Sequence, residues 1–542
     1  MLRKLWPLLG ALVLLIGLPA YGEETVDTSK EEPVVEKTLD QTIDEGFGKL
    51  TGPFVSKVFS EIQINGYGVK WVIVWLALAG LILTITFKFV NLRAFPLAIK
   101  TVKGRYSSDS DPGEISHFQA LTAAVSGTVG LGNIAGVAIG ISIAGPGVAF
   151  WLFLAGFLGM ATKFAECTLG VKYREIDSKG RIHGGGMHYL KKGLAERGMP
   201  GLGQVLAIFF AVFCVFASFG GGNIFQVSQV TQQLINVTGG EEKSFFVGNQ
   251  WIFGVTMAAI TALVILGGIQ GIAKVTSKLV PTMCLIYIAS ALVVLIVNAD
   301  RLIPSIQMIV NEAFNPRAAV TGGFLAAFIW GIRRATFSNE AGIGSAAIAH
   351  SAVKTKKPAS EGVVALLEPF IDSVIVCTMT SLVIVTSMQF QGDSGDFIVN
   401  GVSQTLTDGN NSSTFGIGLT SLAFQSVHDS FRYILFICVL LFAFSTLITW
   451  SYYGLQAWQY LLGNGKAAEM TYKIIFCLVI VIGSSASMSS AVDFSDASLF
   501  AMSIPNLIGV YLLVPVVKRE YADYLEYTKK VDQGVPPEDA SE

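Results

Sequence analysis

The sequence predicts an all-α integral membrane protein of about eleven transmembrane helices, and three observations carry that prediction. Only 14% of its 542 residues are charged and 52% are hydrophobic, against about 25% charged in an ordinary soluble domain. Apolar runs long enough to cross a bilayer recur from Trp71 almost to the end. Lys and Arg gather in alternate loops, the bias that orients membrane spans.

The chain opens with a probable signal peptide, residues 1–22. Arg3 and Lys4 precede an apolar run from Leu5 to Leu18, and Ala20-Tyr-Gly22 offers small residues for cleavage. Cleaved or kept as an anchor, it puts the following segment, 23–65, outside the cytoplasm. Within that segment Leu39 to Ile62 has weak helical periodicity and suits a helix lying along the membrane surface. The spans follow at 71–92, 117–143, 147–171, 202–235, 250–271, 278–298, 318–350, 360–388, 430–461, 470–487 and 492–516. With the first span starting outside, the inside loops and the tail hold 22 basic residues, and the outside loops after it hold Lys243, Arg301 and Arg317. This implies a multi-pass protein of the plasma (inner) membrane with an extracytoplasmic N-terminus and a cytoplasmic C-terminus. Within the outer loop 389–428, which has three aspartates and no Lys or Arg, residues 413–428 suit a short helix outside the membrane. The lipid bilayer is the implied partner, and a net charge of -2 gives no reason to expect nucleic acid. Six cysteines at 167, 214, 284, 377, 438 and 477 lie in apolar runs without metal-ligand spacing, so they read as small buried hydrophobes.

In the second span, Gly127-Thr-Val-Gly-Leu-Gly-Asn-Ile-Ala-Gly136 packs four glycines into ten residues. It is no dinucleotide loop, because the spacing is wrong and it sits mid-span. Gly132, Gly136 and Gly140 recur every four residues, a ridge that lets two membrane helices approach closely. Gly127, Gly130 and the polar Ser126, Thr128 and Asn133 fall outside that explanation and lie near the bilayer midplane. Irregular backbone at that depth lines a cavity or binds something. In transporters, broken helices aim half-helix N-termini at a carboxylate and freed carbonyls at a cation.

An inverted repeat would put a partner break five spans on, in the seventh span. Gly331 lies close to the midplane there, whereas Gly342-Ile-Gly344, which echoes Gly130-Leu-Gly132, lies near the cytoplasmic end. Depth favours Gly331. Arg333 and Arg334 follow it and need partners. Glu340, Glu166, Glu368 and Asp372 are the candidates, with a structural ion-pair network preferred over a substrate or relay role. Glu368 and Asp372, four apart, share a helix face and suit gating or titration. Gln226 in the fourth span needs a hydrogen-bond partner, either helix backbone or ligand. Ser445 and Thr446 in the ninth can bond back to their own helix or add two hard oxygens to a site. Trp450 either closes a pocket or packs.

Together GTVGLGNIAG, Gly145-Pro-Gly147, Lys163-Phe-Ala-Glu166, Gly184-Gly-Gly-Met187 and the RRATFSNEAGIG run from Arg333 to Gly344 resemble the alanine/glycine:cation symporter family. The likeness spans residues 66–517, a membrane transporter domain followed by a cytoplasmic tail, 518–542. It implies the LeuT-like fold, two inverted five-helix repeats plus one extra N-terminal helix, and Val129-Gly-Leu-Gly-Asn133 is similar to the broken first core helix of bacterial leucine transporters. It also implies sodium-coupled symport of a small neutral amino acid, usually alanine or glycine, by alternating access. Amides near Gly130, Leu131 and Gly132, with Thr128, face the substrate carboxylate. Gln226, Phe328, Ile332 and Trp450 line the pocket. Sodium, the co-transported ion, sits where carbonyls near Ser126 and Val129 meet Ser445 and Thr446. Family members also use protons, which leaves proton-coupled symport as an alternative. The leader and the acidic stretch before residue 66 depart from the family pattern. An intramembrane enzyme is disfavoured, because His117 and His350 show no nucleophile–base or metal spacing. A channel does not require two broken helices five spans apart.

Overall fold

Apolar length decides which segments become membrane helices. The computed structural model describes residues 39–540 apart from 65–66, 109, 179, 318–322, 392–394, 407–415 and 487. The predicted signal peptide lies outside the described residues. Among the described residues seven helices are long and apolar enough to cross a bilayer, or eight if the bent pair His117–Thr128 and Leu131–Ala144 is one span. The predicted segments 71–92, 250–271 and 318–350 also contain helices, but these are shorter or carry charge.

Helix α1 (Leu39–Val58) sits in the stretch expected to lie on the membrane, and its aromatic residues pack on the bundle. Phe47 meets Phe494 edge-on with ring centres 5.3 Å apart, and Phe54 lies 5.9 Å from Phe216. The periodicity did not indicate the antiparallel hairpin Glu61–Ile64 with Tyr67–Lys70 that leads into α2 (Trp71–Thr86). Burial and the neighbouring Arg333 pull the Lys70 ammonium at the hairpin's end down to about 8.

α3 (His117–Thr128) starts on a capping box: Gln119 N–H donates to Ser116 Oγ (3.3 Å) and Ser116 N–H donates to Gln119 Oε1 (3.0 Å). It ends at Val129, where φ -76° and ψ 81° leave helical geometry. After a short turn α4 (Ala135–Ala144) continues at 56° to α3. α5 (Val148–Lys172) follows. α6 (Pro200–Phe219) and α7 (Phe225–Val237) form one span joined by a π turn at Gly220–Ile224. α8 (Gly323–Asn339) and α9 (Ala346–His350) are separated by a second break. α10 (Pro358–Ala365) begins a span that carries another π turn at Phe370–Cys377.

The loop predicted to lie outside holds a three-stranded antiparallel sheet, Gln389–Phe390, Asp396–Val399 and Val402–Thr405 in that order. The short helix expected at 413–428 is present as α11 (Ile417–Gln425). It is largely buried against the bundle, and Thr420 Oγ1 donates to Ile134 O at 3.3 Å. α12 (Phe431–Leu462) crosses behind the first bend. α13 (Met488–Asp532) runs past the predicted end of its span, and Asp532 is held by Arg105 Nε at 2.8 Å. All six cysteines are unpaired, five of them buried, as their apolar settings predicted.

Candidate substrate and sodium site

The bend after α3 redirects two backbone donors. In a continuous helix Gly130 N–H would bond Ser126 O and Leu131 N–H would bond Gly127 O. Here Gly130 N–H faces Thr128 O and Asn133 Oδ1, both at 2.9 Å, and Leu131 N–H donates to Gln226 Oε1 at 2.9 Å. Ser126 O is thereby released to α12. It lies 3.3 Å from Ser445 Oγ and 3.2 Å from Thr446 Oγ1. The same two hydroxyls reach Phe442 O at 2.9 and 3.1 Å, so they bond back to their own helix as well. Ser126 Oγ donates to Ser445 O at 2.7 Å, and Thr449 Oγ1 donates to Ser126 Oγ at 3.0 Å. Every residue in this oxygen cluster is buried.

Beside it lies a small enclosed cavity of about 10 Å³ lined by Thr128, Gly132, Gln226, Phe337, Glu340 and Trp450, among others. Four of the expected pocket residues, Thr128, Gly132, Gln226 and Trp450, thus meet at one place. Trp450 lines this cavity and also packs: its Nε1–H donates to Glu340 Oε1 at 2.9 Å, and a Cβ on Gly222 would lie 2.3 Å from its ring. Gln226 bonds backbone on both sides, since its Nε2 donates to Gly221 O at 2.9 Å. Thr128 Oγ1 bonds back to Ala124 and Val125 carbonyls.

Three expectations need correction. The second break is not at Gly331, which is helical and presses on α5, where its Cβ would lie 2.4 Å from Trp151 Cβ. It falls at 340–345, where Glu340, Gly342 and Gly344 take φ of 57°, 91° and 82°. Two of these left-handed positions are supplied by the glycines that echo Gly130-Leu-Gly132. In consequence Phe328 and Ile332 stand too early on α8 to reach the pocket. They line a crevice with Leu158 and Trp151, and the Phe328 ring centre is 5.0 Å from that of Trp151. Phe337 takes the pocket position, braced by Phe225 at 4.7 Å.

The third correction concerns the arginines. Neither pairs with the four acids proposed for them. Arg333 and Arg334 both bond Asp496 Oδ2 on α13, and Arg333 Nη2 also donates to Asp493 Oδ1 at 3.1 Å. This is the interhelical ion-pair network preferred for them, with different acids.

The two acids set on one face part company because a π turn follows Pro369. Asp372 accepts from Asn133 Nδ2 at 2.6 Å and Ser338 Oγ at 3.0 Å, so it ties the first break to the end of α8. Glu368 bonds His350 and faces Lys163. The glycine ridge packs closely at two of its three positions. A Cβ on Gly132 would meet Phe337 and Ser338, and one on Gly140 would meet Val148 at 2.9 Å and the Arg334 stem at 3.0 Å, whereas one on Gly136 would meet nothing closer than 3.9 Å. Sequence reasoning missed Thr449 and Phe337, and named Glu340 only as an arginine partner, not as a cavity residue. Thr449 carried a usable signal, since it stands one helical turn after Ser445.

Pocket size follows from Phe337. We expect Phe337→Ala to widen the cavity and relax discrimination against larger aliphatic amino acids by about tenfold or more. Competition of unlabelled amino acids against labelled alanine checks it, and an unchanged ranking would remove Phe337 from the pocket.

The sodium:alanine symporter family profile matches residues 53–537. The sodium/alanine symporter AgcS of Methanococcus maripaludis is 38% identical over 461 residues, 85% of this chain and 95% of that one. The probable sodium/glutamine symporter GlnT of Bacillus subtilis is 31% identical, covering 85% and 89%. A putative sodium/proton-dependent alanine carrier of the same organism is 30% identical, covering 84% and 90%. The bend, the oxygen cluster beside it and a match along nearly the whole chain agree: this multi-pass membrane protein belongs to the sodium:alanine symporter family.

Proposed function

We propose that the protein imports a small neutral amino acid, alanine or glycine, by sodium-coupled symport with alternating access. The observation that carries this reading is the meeting of the α3 bend with α12. There the released Ser126 carbonyl, the Phe442 carbonyl and the hydroxyls of Ser126, Ser445 and Thr446 lie within hydrogen-bond steps of one another. Such hard oxygens at a broken helix suit a sodium ion. Val129, at the bend itself, is the remaining backbone contributor in this reading.

The substrate carboxylate belongs at the N-terminal end of the turn leading into α4, where the amides of Gly130, Leu131 and Gly132 carry partial positive charge. Gln226 Oε1 holds the Leu131 amide, so a carboxylate docks there by taking its place. The side chain then points into the space between Phe337 and Trp450, which favours a methyl group or hydrogen over anything larger. Two breaks five predicted spans apart, bridged by Asp372, fit the LeuT-like inverted repeat.

Uptake of labelled alanine into liposomes holding the purified protein, with and without an inward sodium gradient, tests the proposal. Sodium should drive accumulation above the outside concentration. Flux that only equalises alanine, indifferent to any ion gradient, sinks it.

Sodium and substrate share the bend, so each raises affinity for the other by the same factor. Thr446→Ala removes one hard oxygen and leaves the cavity walls in place. The sodium concentration for half-maximal uptake should rise about tenfold, the equivalent of one lost hydrogen bond of about 1.4 kcal/mol. The order of preference among amino acids should stay as it was.

A further inference from the structure

A chain of buried titratable groups lies away from the sodium and substrate site, at the end of the bundle that carries the basic loops 93–115, 172–201 and 350–360. His350, the last residue of α9, points Nδ1 at Glu361 and Nε2 at Glu368. His117, first residue of α3, points Nδ1 at the other oxygen of Glu361. Lys163 Nζ on α5 stands 3.2 Å from Glu368 Oε2, an ion-pair contact off the hydrogen-bonding direction. All five side chains are buried.

Proton counting makes this chain unusual. A neutral imidazole has one N–H donor and one lone pair. His350 faces carboxylates at both nitrogens, so with a neutral ring one lone pair points at a carboxylate oxygen. The contact is satisfied only when one further proton is present, on the ring or on a glutamate. The surroundings do not supply the missing charge. Glu166 accepts from Asn506 Nδ2 at 2.5 Å, and Glu340 is held by Trp450 and Ser345. Arg174 spends its guanidinium on the carbonyls of Ser351, Val353, Thr355 and Pro112. The hydroxyls of Tyr189, Tyr453 and Tyr524 and the Cys167 thiol near the chain are buried, and such groups add no charge near neutral pH. A metal ion is a poor fit, because both His350 nitrogens are already engaged and an ammonium stands at Glu368.

We infer that His350, clamped between Glu361 and Glu368, is a proton-binding site separate from the sodium site, and that its proton holds the basic end of the bundle closed. The clamp joins α9, behind the second break, to α10, and through Glu361 to the first residue of α3, ahead of the first break. These are the pieces that part if that end opens. Releasing the proton to the water at the basic loops leaves an imidazole lone pair against a carboxylate, which loosens the joint. Acid therefore favours the closed end and alkali the open one. The role of the closed end in transport rests on the reading above; the proton site itself does not.

Cys167 reports on the joint, since its Sγ lies within 4.8 Å of ligand atoms of both His350 and Glu368. Labelling of Cys167 by a small maleimide, read by peptide mass spectrometry, is followed in the full chain in detergent without sodium or amino acid. Glu361→Gln is the comparison, because an amide donates to one imidazole and accepts from the other and completes the chain without an extra proton. The ratio of wild-type to variant labelling is taken after each rate is divided by that protein's own measured thiolate fraction, since Glu361 acts directly on the Cys167 thiol. It should rise about tenfold per pH unit on the alkaline limb, as a one-proton step requires. His350→Gln, which also removes the need for the proton, should give the same result if Glu361→Gln folds poorly. A ratio that stays flat with pH for the folded variants overturns the proton site. Sodium-driven uptake in liposomes separates the two readings. A pH-dependent ratio without sodium-driven uptake leaves the proton site standing and removes the transport proposal, and sodium-driven uptake with a flat ratio does the reverse.

Discussion

Asp496→Asn is expected to cost about 3–5 kcal/mol of stability, the usual result of removing one partner of a buried ion pair. Both arginines that follow Gly331 converge on one oxygen of this carboxylate. Arg334 is fully buried, and its Nε and Nη1 have no other hydrogen-bond partner among the described residues. Arg333, itself buried, has a second acid in Asp493, whose carboxylate is 54% exposed and so hydrated. Asparagine keeps the shape of Asp496 but leaves two guanidinium charges facing each other between α8 and α13. Aromatic faces soften this only in part: Arg334 lies 5.1 Å from the Phe337 ring and Arg333 4.5 Å from that of Trp330. Asp493→Asn should cost about 1 kcal/mol or less, as exposed pairs do. Thermal unfolding of the purified variants separates the two, and equal melting temperatures for Asp496→Asn and wild type would show that the arginines find another counter-charge.

Gly130→Ala should lower uptake by roughly ten- to a hundredfold while the protein still folds, which corresponds to losing one charge-assisted hydrogen bond. The cause is not backbone strain, since Gly130 sits at φ -126° in an extended conformation that alanine also adopts. It is the methyl group. A Cβ there would lie 2.4 Å from Thr446 Oγ1 and 2.9 Å from Gln226 Oε1, so it pushes at once on a proposed sodium ligand and on the side chain that marks the carboxylate position. A Cβ at Gly136 meets nothing closer than 3.9 Å, so Gly136→Ala should retain transport. Sodium dependence and alanine affinity measured on Gly130→Ala should both worsen. If either survives intact, the two sites do not meet at Gly130.

The sequence disclosed what repeats along one helix and concealed what depends on distant segments meeting. Helical arithmetic alone set glycines 132, 136 and 140 on one face, and Gly132 and Gly140 do lie close against α8. The adjacent hydroxyls of Ser445 and Thr446 were legible within one span, as was the break in the helix around Gly130. The second break was misplaced because residue count measures depth only if the span's start and tilt are known. The local chemistry of Gly342-Ile-Gly344, two glycines free to turn left-handed, was the better guide. Once the break moves from 331 to 340, the pocket wall moves with it from Phe328 to Phe337. The arginine partners lie some 160 residues further on, beyond any spacing rule. Even so, Asp496 inside an apolar run was itself a signal, because an acid at membrane depth asks for a partner. His117 and His350 looked idle singly, and only the fold brings both to Glu361.

The π turn at Gly220–Ile224 winds wider than the α-helix on either side. Such a turn is in effect one inserted residue that the helix has absorbed while keeping its two halves in phase. It also creates the opening through which Gly221 O meets Gln226 and the Trp450 ring lies on Gly222. Shortening the glycine triplet by one residue would wind this segment into a plain helix and draw the Gly221 carbonyl away from Gln226. One wall of the small cavity therefore hangs on the length of a single turn.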